Sequence, residues 1–366
     1  MITTLRLTGL MVVVGPLLLA APSIAQSAKS PDAPPPPPPP VSSVAPLRAA
    51  ADMQAVLDAL ATLGGKPIER LSAAQARLQP SFADGVKAAM KQQGQSILPD
   101  ASVETVDKSY GTDPSQTARI YRPKGTANNA ALPVLVYYHG GGWVIADIAT
   151  YDATPRLLAK ELGAVVVSVE YRLAPEAKFP AQHDDAARAY RWTLANARGW
   201  GGDPRRLALA GESAGGNLAV ATAIQARDKG LAMPRHILAV YPIANSSTTL
   251  PSRKDSANAK PLNTAMLPWF GHYYSKTKAD QMDPRLNLVR ANLKGLPPVT
   301  IVNAQIDPLR SDGETLATAL RGAGVPVEQR TFPGVTHEFF GAGTVVKGAR
   351  DAETYAVGRL RTALAK

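Results

Sequence analysis

Two short apolar runs constrain this chain more than anything else in it. Residues 133–138 read Pro-Val-Leu-Val-Tyr-Tyr and residues 164–169 read Ala-Val-Val-Val-Ser-Val. Runs of that length and composition fit strands covered on both faces, as in a parallel sheet. Between them residues 151–162 carry apolar positions at helical spacing and stop at Gly163, a C-cap glycine. The alternation then repeats. Helices are expected at 181–197, 217–229, 313–321 and 345–364, and strands at 206–210, 237–241 and 299–304. Upstream, 102–106 and 117–121 read as strands joined by a turn near 111–114. Strand and helix in this order specify an α/β fold, a mostly parallel central sheet flanked by helices.

Two stretches break the rhythm. Residues 245–290 form an insertion holding Trp269, Phe270, Tyr273 and Tyr274, too long for a plain loop and expected to be a cap. Helices at 49–61 and 72–91, parted by Gly64-Gly65-Lys66-Pro67, have no strand between them and are expected to join it. The catalytic body would then span 48–366, with a helical cap from about 48–95 and 245–290.

The first residues follow other rules. Arg6, the apolar stretch 7–21 and the small residues Ser23-Ile24-Ala25 form an export signal over 1–25, with cleavage expected before Gln26. The protein is therefore expected in the periplasm or outside the cell. The alternative is an uncleaved anchor over 5–25, the only route by which a membrane would be a partner. Residues 26–47 contain seven consecutive prolines, Pro34 to Pro40, which can enter neither helix nor sheet and read as a spacer.

The chain has no cysteine, which excludes disulfides, thiolate metal sites and a cysteine nucleophile. Its formal charge of +11 is scattered singly, with no block of like charge, so a basic surface is favoured over a nucleic-acid partner. Chemistry concentrates instead in a few short segments. Gly211-Glu212-Ser213-Ala214-Gly215 lies between an expected strand and an expected helix, the setting of a nucleophile elbow. His139-Gly140-Gly141-Gly142-Trp143 follows the strand at 133–138. Its glycines let backbone N–H groups converge, so Gly140, Gly141, Gly142 and Ala214 are the expected oxyanion hole. Of five histidines, His337 is the expected base. It is placed in a loop, 332–337, before the last helix. His139 is read as organising its own loop. Asp307 is the expected acid and Asp312 the fallback. The order Ser213, Asp307, His337 suits a hydrolase on such a sheet.

These segments, with Tyr171-Arg172-Leu173-Ala174-Pro175-Glu176, Asp307-Pro308-Leu309-Arg310 and His337-Glu338-Phe339, resemble the bacterial hormone-sensitive-lipase-like carboxylesterases, family four of the bacterial lipolytic enzymes. The resemblance runs from about residue 102 onward. It implies an α/β-hydrolase fold with a helical cap, Ser213, His337 and Asp307 as triad, and hydrolysis of short- to medium-chain carboxylic esters. It also implies a small-molecule ester as substrate and no cofactor or metal. Two positions depart from the family pattern: Glu212 stands where Asp is common, and Glu338 where Gly usually follows the base. Arg172 is expected to pair with Asp184 or Asp185. Trp143, then Trp269 and Phe270, are the expected pocket walls. Rival readings are an amidase or acyltransferase on the same triad, and a non-catalytic small-molecule binding protein.

Overall fold

The structure is a computed structural model that describes Met1 and residues 47–365. The expected export signal, and the proline spacer up to Pro46, lie outside the described residues. Eight strands form one sheet: β1 (Val103–Ser109), β2 (Thr117–Pro123), β3 (Leu132–Tyr138), β4 (Val165–Val169), β5 (Gly202–Glu212), β6 (Ile237–Val240), β7 (Val299–Ile306) and β8 (Val327–Thr336). Their order is β1-β2-β4-β3-β5-β6-β7-β8, and every pairing from β4 to β8 is parallel. The β1–β2 and β2–β4 pairs are antiparallel.

The period of two along each central strand divides its side chains between two cores. Val134, Val136 and Tyr138 of β3 join Val165, Val167 and Val169 of β4 and Leu207 and Leu209 of β5 on one face. Leu135, Tyr137, Val166, Ala208 and Ala210 face the other way. Helices α5 (Ala181–Asn196), α6 (Ala214–Asp228) and α9 (Arg310–Gly322) cover the first face. Helices α1 (Ala51–Thr62), α4 (Ala153–Leu162) and α10 (Lys347–Leu364) cover the second. Both faces being covered explains why the central strands are apolar throughout.

The remaining helices, α2 (Ala73–Ala76), α3 (Phe82–Gln92), α7 (Pro251–Asp255) and α8 (Met266–Tyr274), belong to the two stretches that break the alternation. Trp269 on α8 donates its indole N–H to the Leu71 carbonyl at 2.9 Å, and the Asn263 amide reaches Glu69 at 3.3 Å. Arg77, just past α2, donates to the Val144 and Ala174 carbonyls at 2.9 and 2.8 Å and pairs with Glu176 at 2.7 Å. The two stretches thus pack on each other and on the loop after β3.

Three sequence expectations need correction. The single helix over 72–91 is two, because Pro80 interrupts it and Ser81 restarts it with a capping box to Asp84. The segment 332–337 is not a loop: β8 runs through Pro333 and Gly334 to Thr336, and His337 follows directly. It was hidden because, among the described residues, β8 pairs only with β7 at the sheet edge, and its outward positions are polar. The strand expected at 206–210 is longer and reaches the residue before Ser213.

Strand order also locates the functional crevice. After β3 the chain crosses to β4 on one side, and after β5 to β6 on the other. Neighbouring strands whose connections diverge leave a gap at their carboxyl ends, where α/β proteins place ligands. His139 follows β3 there, and Ser213 follows β5.

Candidate active site

Ser213 joins β5 to α6 without a spacer residue, and its backbone is held at φ 56°, ψ −116°. A serine pays for that left-handed conformation in steric strain, and two features fix it there. The Ser213 N–H donates to the Val240 carbonyl of β6 at 2.9 Å. Gly215 sits so close to β3 that a Cβ would stand 1.9 Å from the Tyr138 carbonyl oxygen, so no other residue fits.

The His337 Nε2 lies 3.0 Å from Ser213 Oγ, and its Nδ1 lies 2.8 Å from Asp307 Oδ2. Asp307 Oδ1 accepts the Leu309 N–H at 2.7 Å, which fixes the carboxylate at the end of β7. All three side chains are buried. Burial pulls the His337 imidazole down, but the charge and hydrogen bond of Asp307, then Glu338 and Glu212, outweigh it and the pKa is raised. Asp312, the fallback acid, is elsewhere: it pairs with Arg253 at 2.6 Å and accepts the Ala244 and Asn245 N–H groups at the start of the insertion.

His139 anchors the glycine loop rather than facing Ser213. Its ring stacks on Tyr171 at 4.3 Å, with Nδ1 2.9 Å from the Gly140 carbonyl and Nε2 3.2 Å from Glu170. Gly141 and Gly142 line the same cavity as Ser213 and His337. Gly140 sits one residue back against the Tyr151 hydroxyl, and Ala214 opens α6, where the first N–H groups have no intrahelical partner. The other histidines are structural. His183 is held between the Asn217 amide and the Tyr274 hydroxyl, each at 2.9 Å, and burial lowers its pKa to about 4. His236 bonds Thr300 at 2.9 Å. His272 packs edge-on against Tyr273.

The cavity has a volume of about 1600 Å³ and runs from Ser213 outward between α1, α3 and α4. Of the three expected wall residues only Phe270 lines it, packed where a Cβ on Gly142 would stand 2.2 Å from its ring. Trp143 is instead stacked on Tyr274 at 4.2 Å, and Trp269 is fully buried within the 245–290 stretch. Both are packing residues, since each aromatic finds a partner before it reaches the crevice. Arg172 pairs with Asp185, through contacts of 2.7 and 2.8 Å, and Asp184 takes no part.

One cluster was not foreseen. Glu212 accepts the Tyr137 hydroxyl at 2.5 Å and also that of Tyr241, whose ring lies 4.4 Å from His337. Glu338, at φ 68°, accepts the Tyr151 hydroxyl on both oxygens at 2.7 and 2.6 Å, and its Oε1 lies 3.9 Å from His337 Nε2. Burial raises the Glu338 pKa, against the pull of His337 and Tyr151. Each tyrosine lies 29 or more residues from the carboxylate it bonds, so no local pattern signals the cluster.

Residues 135–341 match the family model described as the alpha/beta hydrolase fold. The chain belongs to that family. As an α/β hydrolase it is 38% identical over 291 residues to the carboxylesterase NlhH of Mycobacterium tuberculosis, covering 77% of this chain and 91% of that protein. It is 34% identical to an ethyl acetate hydrolase of Pseudomonas putida over 285 residues, 77% of this chain and 88% of the other. Among solved α/β hydrolases, a thermostable esterase from Pseudomonas putida ECU1011 superposes with a TM-score of 0.78 at 30% identity, covering 89% of this chain and all of that one. An esterase from the archaeon Pyrobaculum calidifontis gives 0.75 at 34% identity, covering 87% of this chain and all of the other.

Proposed function

We propose that this carboxylic ester hydrolase cleaves short- to medium-chain esters with Ser213 as nucleophile, through an acyl-enzyme. The observation that carries the reading is the continuous contact Ser213–His337–Asp307, at 3.0 and 2.8 Å, opening on the cavity. His337 Nε2 takes the Ser213 proton as the serine oxygen attacks the ester carbonyl. The carbonyl oxygen, now negative, is placed to receive the N–H groups of the glycine loop and Ala214. His337 then gives the proton to the departing alcohol. Water repeats the sequence on the acyl-enzyme, and Asp307 holds the imidazole tautomer and its cation throughout. The relatives named carboxylesterase and ethyl acetate hydrolase support an ester as substrate.

The test is the initial rate on p-nitrophenyl esters of increasing acyl length, with Ser213→Ala run in parallel. The rate is expected to peak at short acyl chains, and the variant to lose about a millionfold. Retention of more than about a thousandth of the activity would refute the serine mechanism. We also place the mature protein outside the cytoplasm, on the signal-like segment 1–25. Mass spectrometry of the exported protein should find Gln26 at its N-terminus.

A further inference from the structure

The hydrolase triad accounts for Ser213, His337 and Asp307 but gives no role to Glu338. This residue occupies a left-handed backbone position, φ 68°, where a side chain is sterically unfavourable. Its carboxylate nonetheless opens on the cavity, beside Ser213 and His337. Its Oε1 stands 3.9 Å from His337 Nε2, while the Tyr151 hydroxyl, which lines the same cavity, holds both oxygens. Two acceptors at that separation can share one water. A water oxygen about 2.8 Å from each would see them at an angle of about 90°, close to the spread of its own two hydrogens.

We infer that Glu338 is a positioning residue for the second half-reaction: its carboxylate and His337 Nε2 together hold the attacking water, which favours hydrolysis of the acyl-enzyme over transfer to an alcohol. The inference rests on the acyl-enzyme reading above. In the step, the water oxygen bonds to the acyl carbon as its first hydrogen passes to His337 Nε2. The carbon–oxygen bond to Ser213 then breaks, and that proton passes to Ser213 Oγ. The second hydrogen, held by Glu338, stays on the attacking oxygen and leaves with the carboxylic acid. An alcohol has one such hydrogen, so it can satisfy His337 but not Glu338. Its carbon would also face the carboxylate where a donor is wanted. The alcohol that departs in the first half-reaction lacks the second hydrogen too, so Glu338 contributes to the water step alone.

The test measures how the acyl-enzyme partitions between water and added methanol, as free acid against methyl ester, in the full-length protein. Acetate esters of two different leaving alcohols are compared, because a shared acyl-enzyme gives one ratio for both. Two variants are used: Glu338→Gln keeps the shape, and Glu338→Gly suits the left-handed backbone and so guards against misfolding. Glu338→Gly, which removes the acceptor, is expected to raise the methyl ester to acid ratio about tenfold or more, the effect of one lost hydrogen bond to a charged group, and Glu338→Gln, which keeps one neutral acceptor oxygen, to raise it by less. A larger pre-steady-state burst of p-nitrophenol should accompany it, as deacylation slows relative to acylation. A common ratio for both leaving alcohols that is unchanged in the two variants would overturn the role of Glu338 and leave the acyl-enzyme standing. Ratios that differ between leaving alcohols, or turnover that survives Ser213→Ala, would overturn the acyl-enzyme reading and this inference with it.

Discussion

Glu212, the residue before Ser213, should make the protein less stable as pH rises, and Glu212→Gln should remove that effect. The carboxyl is fully buried, and burial pushes its pKa from 4.5 up to about 7, against the hydrogen bonds of Tyr137, Tyr241 and Thr154 and with a further push from Glu338. Below pH 4.5 the group is protonated in both folded and unfolded chains, so it has no effect on stability. Between 4.5 and 7 the unfolded chain ionises while the folded one keeps its proton. Each unit of pH in that window lowers the free energy of unfolding by about 1.4 kcal/mol. The loss reaches about 3 kcal/mol above pH 7 and then stays constant. Glutamine resembles the protonated acid, with one acceptor oxygen and a donor to which a tyrosine hydroxyl can turn. The variant should therefore match the wild type near about pH 5 and exceed it by about 2–3 kcal/mol near about pH 8.5. Urea midpoints for both proteins across that range, with unchanged m-values, measure the difference. Other buried acids, such as Asp312, are common to both and cancel. A difference independent of pH, or a variant less stable at the alkaline end, would refute the reasoning.

Asp307→Asn should cut kcat by about 10⁴, since the imidazole loses its oriented tautomer. Asp307 also helps to hold the His337 proton, so the acid limb of the pH–rate profile should move to lower pH; a move to higher pH would contradict the assignment. Phe270→Ala should shift preference toward longer acyl chains, because the ring stands against Gly142 in the cavity wall, whereas Trp143→Ala should leave it unchanged. Rates on the p-nitrophenyl ester series separate the two.

Much of this site was legible in the sequence, because its key parts are set by local chain geometry. Gly-Glu-Ser-Ala-Gly between a strand and a helix, and three glycines after an apolar strand, place backbone at a crevice whatever surrounds it. The pocket walls were not legible. Trp143 and Trp269 are as apolar as Phe270, and which ring reaches the cavity depends on which finds a neighbour first: Tyr274 stacks on Trp143, and the Leu71 carbonyl takes the Trp269 indole. The choice between Asp307 and Asp312 was also a tertiary matter. They lie five residues apart, and only the start of α9 turns Asp312 toward Arg253 and away from His337.

What the sequence determined by itself follows from short-range rules. Apolar runs of strand length demand a covered sheet, helical periodicity fills the space between strands, and glycines permit the two tight turns that frame Ser213. What only the tertiary structure decided involves residues distant in the chain. β8 becomes a strand because β7 offers it an edge. Glu212 becomes a weak acid because Tyr137, Tyr241 and the folded core exclude water from it. Glu338 comes within 3.9 Å of His337 because Tyr151, 187 residues earlier, holds its carboxylate there. Burial and hydrogen bonding of this kind are properties of the assembled molecule, and no local pattern of residues encodes them.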